Sequence, residues 1–552
     1  MRILTQFLFL LLFCVTAYAQ APLVFKEFDL NVGSSDSEPL NFNVVNGKLL
    51  FSANTSVGRE LWISDGTTAG TKLLKDINAG AGSSLQNAGN GPRAVLGSKL
   101  VFAADNGTTG EELWVSDGTA AGTTLLKDIY TGSNSSNPLA DGWAIVGSKL
   151  IFSARTLTNG NEVWVTDGTT AGTTLLKDIN SGGATSYPGA FVQYNGKVYF
   201  GADDGVNGVK LWVTDGTASG TQLINVPFEA PVYFVVLNSM MISFAYDATN
   251  GVELWKTDGT VGGSSLIKDI NPGFGSSVPA SLRADMFCVY NNKLYFVADN
   301  GSNGYELWVT DGTTTGTQMV KEIRTGTGDA YIGNMMVFNN KLYFGGMDAS
   351  GNRKLWETDG TAGGTKIAVN TNGVFNEMSS IIGYKKSLYF NATDNAAFPF
   401  SDDLFKSNGT TSGTTKIGPS TKTDAASNIA QFIMYDSTLY FCANYNNGYE
   451  LWSMKDTTGS GGGGSSNVEY VDNERVITFY PNPVHDKITI KITKSYNKGS
   501  VALYDITGRL VMPVLPVSGS QPIVPVKDVV KGIYTIGVML DGKEHKQKLV
   551  IE

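Results

Sequence analysis

A repeated octapeptide constrains the fold of this chain more than any other feature. The segment 60–67 reads ELWISDGT, and it returns at 112–119, 162–169, 210–217, 253–260, 306–313 and 354–361, with weaker copies at 403–410 and 450–452. The aromatic residue of each copy lies 43 to 53 residues from the next. This period is typical of a β-propeller blade rather than of a helical repeat.

Each module predicts four short antiparallel strands. In the sixth module we expect strands at 287–290, 293–298, 306–310 and 317–323, separated by the turns Asn291-Asn292 and Asp311-Gly312. Asn and Gly supply the positive φ that tight hairpins need, and the strands are rich in branched and aromatic residues. The third strand is apolar at consecutive positions, which indicates that both of its faces are covered.

The repeated aromatic residue is therefore interpreted as packing between blades. The tryptophans at this position are Trp62, Trp114, Trp164, Trp212, Trp255, Trp308, Trp356 and Trp452. The ninth module ends after its third strand, while the segment 24–28 resembles a fourth strand, so the N-terminus is expected to complete the last blade and to close the ring. We predict an all-β chain with a single β-propeller of about nine blades. Eight blades, with the divergent module around Phe405 displaced, is the alternative.

The ends of the chain carry other signals. Residues 1–19 have the basic start, the apolar run and the small-residue cleavage site of a secretory signal peptide. The propeller is expected over 20–457, a Gly/Ser linker over 458–466 and a small β-sandwich over 467–552. No later stretch is long and apolar enough to predict a transmembrane segment.

Charge and cysteine content narrow the class of protein. The formal net charge of the chain is −9; residues 20–466 alone sum to −12, and the two ends of the chain together contribute +3. An acidic body argues against nucleic acid as a partner, because phosphate binding requires clustered Lys and Arg. Only Cys288 and Cys442 remain after cleavage, and we interpret both as buried apolar residues.

No catalytic constellation stands out. Both histidines, His485 and His545, lie in the C-terminal domain, so the propeller offers no His-dependent triad and no His-ligated zinc. A carboxylate pair could still act as in glycosidases, although no Asp or Glu pair stands apart from the repeats. The Asp of each Asp-Gly turn is interpreted as closing an Asx turn. These residues are Asp65, Asp117, Asp167, Asp215, Asp258, Asp311 and Asp359.

The turns between second and third strands are polar. Asp105-Asn106-Gly107, Asp203-Asp204-Gly205 and Asp299-Asn300-Gly301 cluster oxygen atoms of the kind that bind Ca²⁺, but none matches a 12-residue EF-hand loop. Tight turns need the same residues. We predict no metal site and no cofactor, with calcium at these turns as the alternative.

Aromatic residues in the connections are the candidate binding residues. In a four-stranded meander the first and third turns lie at one end, and here they repeat with little change; the variable second turns and connections lie at the other end. That end carries Tyr130, Trp143, Tyr187, Phe274 and Tyr331, together with Phe228 and Phe375. Exposed aromatic rings beside Asp and Asn are typical of carbohydrate or protein contacts, whereas packing between blades is the alternative.

The repeated motif resembles the ELWxxDGT repeat of secreted proteins of the Bacteroidota, over most of residues 41–456. This resemblance implies a secreted or surface protein and carries no established activity.

The C-terminal block is similar to the type A sorting domain of the type IX secretion system. The residues that carry this resemblance are Pro481, Asn482, Pro483, Gly508, Arg509, Gly532 and Tyr534. It implies recognition by the outer-membrane export machinery, then removal and release or attachment to the cell surface.

Three functional hypotheses follow. The first is a non-enzymatic binding module for a glycan or a protein. The second is a carbohydrate-active enzyme that uses carboxylates, and the third is a passive structural or adhesive surface repeat.

Overall fold

The chain forms two compact units, Met1–Gly461 and Gly462–Glu552. In the first unit the computed structural model describes residues 23–33, 35–85, 93–279, 282–369, 380–393, 402–419, 427–445 and 448–457. In the second it describes 477–480, 487–492, 499–504, 510–518, 522–526, 529, 532–540 and 543–551. The predicted signal peptide and linker lie outside these residues.

One strand precedes all the modules: β1 is Leu23–Phe28. Sheet 1 then consists of β2 Leu40–Val45, β3 Lys48–Thr55, β4 Gly58–Ser64 and β5 Lys72–Lys75. Sheet 2 consists of β6 Arg93–Leu96, β7 Lys99–Asp105, β8 Glu111–Ser116 and β9 Thr124–Lys127. Sheet 3 consists of β10 Trp143–Val146, β11 Lys149–Thr156, β12 Gly160–Thr166 and β13 Thr174–Lys177.

The next three sheets repeat this order. Sheet 4 consists of β14 Gly189–Tyr194, β15 Lys197–Asp203, β16 Val209–Thr214 and β17 Gln222–Ile224. Sheet 5 consists of β18 Glu229–Leu237, β19 Met240–Asp247, β20 Gly251–Thr257 and β21 Ser265–Lys268. After a 3-10 turn at Ala284–Met286, sheet 6 consists of β22 Phe287–Tyr290, β23 Lys293–Ala298, β24 Glu306–Thr310 and β25 Gln318–Lys321.

Three further sheets complete the first unit. Sheet 7 consists of β26 Gly333–Phe338, β27 Lys341–Met347, β28 Arg353–Thr358 and β29 Lys366–Val369. Sheet 8 consists of β30 Ile381–Tyr384, β31 Ser387–Thr393, β32 Asp402–Ser407 and β33 Thr414–Ile417. Sheet 9 consists of β34 Ser427–Tyr435, β35 Thr438–Asn444 and β36 Tyr449–Asp456, with β1 as its fourth strand.

Within the described residues the first unit thus holds nine four-stranded antiparallel sheets, which confirms the prediction of an all-β chain of four-stranded modules. Tight hairpins join the first two strands of each sheet. In sheet 1 the hairpin has Asn46 at φ 50° and Gly47 at φ 67°, as the twist of such a hairpin requires.

Successive sheets pack face to face. Each of nine clusters of buried side chains in the first unit joins two neighbouring sheets, and one of them joins sheet 9 to sheet 1. In that last cluster Phe28 and Tyr440 of sheet 9 contact Phe51 and Trp62 of sheet 1. The arrangement is propeller-like, because every sheet has both faces covered by its neighbours.

The N-terminal strand completes sheet 9. β1 pairs with β36 in antiparallel register, from Leu23 opposite Asp456 to Phe28 opposite Leu451. The connection that follows is fastened to the same sheet, since the Leu30 N–H and the Ser37 hydroxyl both donate to Glu450 Oε2, at 2.7 Å each. The last sheet therefore contains strands from both ends of the unit, as the sequence predicted.

The first strands of the sheets lie at the inner side of this arrangement. First strands of neighbouring sheets contact one another, as β10 contacts β14 and β14 contacts β18. Hydrogen bonds also join their turns: the Tyr435 hydroxyl donates to Gly47 O, the Tyr194 hydroxyl to Ser239 O, and the Asn46 side-chain amide to Ser98 O.

The second unit contains two antiparallel sheets. One consists of β37 Ile477–Tyr480, β38 Lys487–Ile492 and β41 Ile523–Pro525, and the other of β39 Gly499–Tyr504, β40 Leu510–Val517, β42 Gly532–Leu540 and β43 Lys543–Ile551. Residues of both sheets, among them Ile488 and Val538, share one buried core. This is the packing of a small β-sandwich.

Candidate ligand-binding face

The repeated tryptophans are core residues. Their exposed fractions lie between 3% and 9%. Trp114, for example, extends from sheet 2 into the cluster formed with Leu61 and Ile63 of sheet 1. The tryptophan of the motif is thus used for packing between sheets.

The Asp-Gly-Thr part of the motif builds the third turn. Asp167 Oδ1 accepts hydrogen bonds from the Thr169 N–H at 2.9 Å and from the Thr169 hydroxyl at 2.6 Å. A Cβ atom on Gly172 would lie 2.1 Å from Asp167 Oδ1, which explains the second glycine of the motif. The Thr166 and Thr173 hydroxyls, 2.7 Å apart, close the base of the turn. The aspartates therefore serve the turn, and these hydrogen bonds lower the pKa of Asp167.

The glutamate of the motif fastens the connection that follows. Glu162 is fully buried and accepts four hydrogen bonds, from the backbone N–H groups of Ile179, Asn180 and Ser186 and from the Ser186 hydroxyl. Burial raises its pKa to about 7, although these hydrogen bonds act in the opposite direction. Glu60 and Glu112 bind their own connections in the same way.

The two ends of the sheets consequently differ. The turn face, formed by the first and third turns, is tied together by repeated contacts such as Lys99 Nζ to Gly168 O at 3.1 Å. The connection face, formed by the second turns and the connections between sheets, varies from module to module. The predicted binding residues belong to the connection face.

The predicted binding residues differ in how much of each side chain is exposed. Phe274 is 83% exposed, Tyr187 68%, Tyr331 55% and Trp143 37%, whereas Tyr130 is half-buried. Phe228 is buried against Trp255, and Phe375 lies outside the described residues.

Trp143 does not lie in a loop, contrary to the sequence interpretation. It is the first residue of β10 and pairs with Phe152. Two residues before Trp143, the Asp141 N–H donates to the Ser153 hydroxyl of β11. The chain therefore already runs alongside β11 when it reaches Trp143. Trp143 therefore stands at the inner rim of sheet 3, on the connection face.

The chain just before Trp143 contacts the chain just after Tyr187. A Cβ atom on Gly189 would lie 3.6 Å from Asp141 O, and one on Gly142 would lie 3.4 Å from the Phe191 ring. The connection that enters sheet 3 thus touches the start of β14.

Two aliphatic residues extend this surface. Leu157, at the second turn of sheet 3, is 75% exposed, and Val206, at the second turn of sheet 4, is 86% exposed. The Leu157 carbonyl approaches Gly183, and the Asn180 side chain approaches Gly205, so both turns contact the connection between sheets 3 and 4. We call Trp143, Leu157, Tyr187 and Val206 the aromatic patch. Sequence reasoning missed its two aliphatic members, although each is the one apolar tip of a polar turn.

Polar groups adjoin the aromatic patch. Asp141 Oδ2 accepts a hydrogen bond from the Asn161 amide at 2.6 Å, and Asp178 Oδ2 accepts one from the Asn159 amide at 2.9 Å. Exposed apolar side chains beside carboxylates and amides can contact a ligand that has both apolar faces and hydroxyl or amide groups.

The second turns use their oxygens internally. Asp105 Oδ1 accepts from the Gly107 N–H, Asp203 Oδ1 from the Gly205 N–H and Asp299 Oδ1 from the Gly301 N–H, at 2.8 to 2.9 Å. No group of three or more His, Cys, Asp or Glu residues that could hold a metal ion occurs in the part of the chain that the structure describes.

The cysteines lie in separate sheets. Cys442 is buried and Cys288 is half-buried, and both are free thiols. Burial raises the pKa of each thiol, so neither has the character of a reactive thiolate.

Solved structures with a similar arrangement include puromycin hydrolase, at 12% identity and a TM-score of 0.34, with 65% of this chain and 59% of that chain covered. Another is the extracellular domain of a protein described as a one-component system from B. thetaiotaomicron, at 10% identity and a TM-score of 0.31, with 97% and 100% covered. The chain spans about three fifths of the hydrolase. At these values the likeness carries no argument about function, and no curated protein matches the sequence.

The C-terminal region has a family match. Residues 478–552 match the secretion system C-terminal sorting domain. The sequence prediction of a type IX sorting domain is thereby confirmed, and this domain indicates a secreted or outer-surface protein that interacts with the type IX machinery. Gly532 begins β42 and Tyr534 is buried in the sandwich, whereas Pro481, Asn482, Pro483, Gly508 and Arg509 lie outside the described residues. Among the described residues no helix is long and apolar enough to cross the bilayer.

Proposed function

We propose that this protein is a non-enzymatic binding protein, exported by the type IX system and displayed on or released from the outer surface, which holds a glycan or a protein on its connection face. The observation that carries the proposal is the aromatic patch. Three of its side chains are 68% to 86% exposed, and they stand on neighbouring segments of the connection face, with Trp143 at the inner rim. Exposed apolar side chains grouped in this way mark interaction sites.

The ring on which this patch stands is proposed to be a nine-bladed propeller. The unbroken cycle of nine inter-sheet clusters supports nine blades over eight. The divergent eighth module packs on both neighbours, through Phe390 on one side and Tyr389 on the other. A closed ring makes the connection face a rigid platform, so the patch is preorganised for its ligand.

Binding is favoured over catalysis by the state of the carboxylates. The six module glutamates are fully buried, and Glu162 has its oxygens committed to the connection. Beside the patch, Asp141 is bonded to Asn161 and Asp178 to Asn159. These arrangements hold loops in place; a glycosidase needs two opposed carboxyl groups that reach the substrate.

The proposal is tested with the full chain on arrays of immobilised polysaccharides and immobilised extracellular proteins, with retention and release of soluble products both recorded. We expect retention without product release. The double variant Leu157→Ser/Val206→Ser should weaken retention at least tenfold, because both side chains are exposed and contribute little to folding. Val261→Ser is the matched control, since Val261 is a 56% exposed valine on the turn face. Release of soluble products, or equal retention by both variants, would contradict the proposal.

A further inference from the structure

Part of the patch occurs twice in the chain. Asp141 and Trp143 precede Tyr187, and Asp285 and Phe287 precede Tyr331, with identical spacing and an offset of 144 residues. In each case an aspartate stands two residues before an aromatic residue that begins the first strand of a sheet, and the tyrosine stands in the connection that leaves that sheet. The two sets belong to sheets 3 and 6.

The structure places the two tyrosines in the same backbone conformation. The aromatic residues differ, because Trp143 is 37% exposed, whereas Phe287 is half-buried and its ring stacks on the Tyr233 ring with centroids 5.3 Å apart. Tyr187 has φ 48° and Tyr331 has φ 47°. Gly333 and Asn334, which follow Tyr331, approach Asp285, and the Asn334 N–H donates to Asp285 Oδ2 at 3.1 Å. Gly189, which follows Tyr187, approaches Asp141 O. In both places the start of the strand that follows the tyrosine touches the connection that carries the aspartate, through the Asp141 carbonyl in sheet 3 and through the Asp285 carboxylate in sheet 6.

The other modules do not share these residues. Tyr187 directly follows Ser186, which the module glutamate holds. In four other modules the residue after the corresponding serine is Glu38, Leu85, Asn137 or Val278. The aspartate position is Leu40 in sheet 1 and Gly189 in sheet 4. Among the modules compared, a tyrosine and an aspartate therefore occur together at these two positions only in sheets 3 and 6.

A contribution to folding does not explain why tyrosine occupies positions 187 and 331. Both side chains are more than half exposed, so they add little to the core. Both also stand in the left-handed region, which is unfavourable for a bulky residue and far less so for Asn, the residue at position 137 with φ 44°. Residues held in sparsely populated conformations cluster at ligand sites, because the surrounding structure must maintain them.

From this repeated arrangement we infer that the connection face carries two subsites, at Tyr187 and at Tyr331, for repeating units of one polysaccharide chain. This inference rests on the proposed function and assigns its ligand class. The apolar face of a sugar ring packs on an aromatic side chain, while its hydroxyl groups bond to carboxylates and to donors such as Arg283, which here binds Asp285 at 3.0 Å. Two copies of one contact set suit a polymer of repeated units, which gains avidity by occupying both.

The test uses the full chain, the single variants Tyr187→Asn and Tyr331→Asn, and the double variant. Asn is chosen because the native chain has it at the equivalent left-handed position. The control is Val261→Ser, which changes a 56% exposed side chain on the turn face, away from the candidate binding residues. Probes are immobilised xylan, β-glucan, mannan, starch, chitin and pectin with their soluble hexasaccharides, and immobilised collagen, fibronectin and laminin.

For the polymer that the full chain retains, we expect each single variant to lower the apparent affinity at least tenfold and the double variant to abolish retention, with Val261→Ser unchanged. For the matching hexasaccharide, calorimetry should give two sites in the native chain and one in each single variant. Retention of a protein and of no polysaccharide would overturn the glycan inference and leave the proposed function standing. Retention of no probe would overturn both, and polysaccharide retention by the double variant would overturn the two subsites alone.

Discussion

Replacing Glu162 by alanine should loosen the connection that carries Tyr187. The substitution removes the acceptor of four hydrogen bonds, and three of the donors are buried: the Ile179 N–H, the Ser186 N–H and the Ser186 hydroxyl. A buried donor left without a partner costs about 1 to 3 kcal/mol. The Ser186 N–H and the Ser186 hydroxyl also donate to Asn161 O, so of these three donors only the Ile179 N–H is left without an acceptor. We therefore expect the free energy of unfolding to fall by about 1 to 3 kcal/mol.

The measurement is equilibrium unfolding in urea at pH 8, followed by tryptophan fluorescence of the full chain. Glu162→Gln keeps one accepting oxygen and should lose about half as much. Glu111→Ala, which shortens a half-buried glutamate of the neighbouring sheet, should cost about 1 kcal/mol or less. A loss below about 1 kcal/mol for Glu162→Ala would refute the view that this glutamate fastens the connection.

Three further predictions concern the ring. Burial raises the pKa of four module glutamates to about 7. The folded state therefore binds more protons than the unfolded chain between pH 4.5 and 7, and the urea midpoint should rise as the pH falls from 8 to 5. A midpoint that does not change with pH would contradict this prediction. Deleting residues 23–28 should leave the edge of β36 open and produce dimers or larger species by light scattering, whereas Val24→Ala, at a half-exposed position, should stay monodisperse. Asp167→Asn should keep its stability, because Asn408 makes the same two bonds in sheet 8, whereas Asp167→Ala should lose about 1 kcal/mol in the same urea assay.

The strands of the sixth module could be predicted from the sequence almost residue by residue. In sheet 6 the first three observed strands match the expected ones, and the fourth is shorter, Gln318–Lys321 instead of 317–323. The difference arises at the end of that strand, because the Ile323 N–H donates to the buried Glu306 carboxylate and not to the neighbouring strand. A local pattern of apolar residues does not reveal that contact, since its acceptor lies 17 residues earlier.

The candidate site was predictable only in part. Trp143 and Tyr187 stand out as aromatic residues at variable positions, but the contact between the segments that flank them appears only in the structure. Leu157 and Val206 lie in turns whose Asn, Asp and Gly residues indicate only a tight bend. The relation between Tyr187 and Tyr331 also requires the structure, because the shared left-handed backbone and exposure make the identical spacing meaningful.

The pairing of β1 with β36 has a consequence for how the polypeptide can be rearranged. Leu23 lies opposite Asp456, so the two ends of the ring could be joined by a short loop. The chain could then be opened at another exposed hairpin, such as the third turn of sheet 7 around Asp359, and the same sheets would still pair. The pairing of the sheets does not depend on the sheet in which the chain begins, so a circular permutant of this kind should keep the surface formed by sheets 3 and 4.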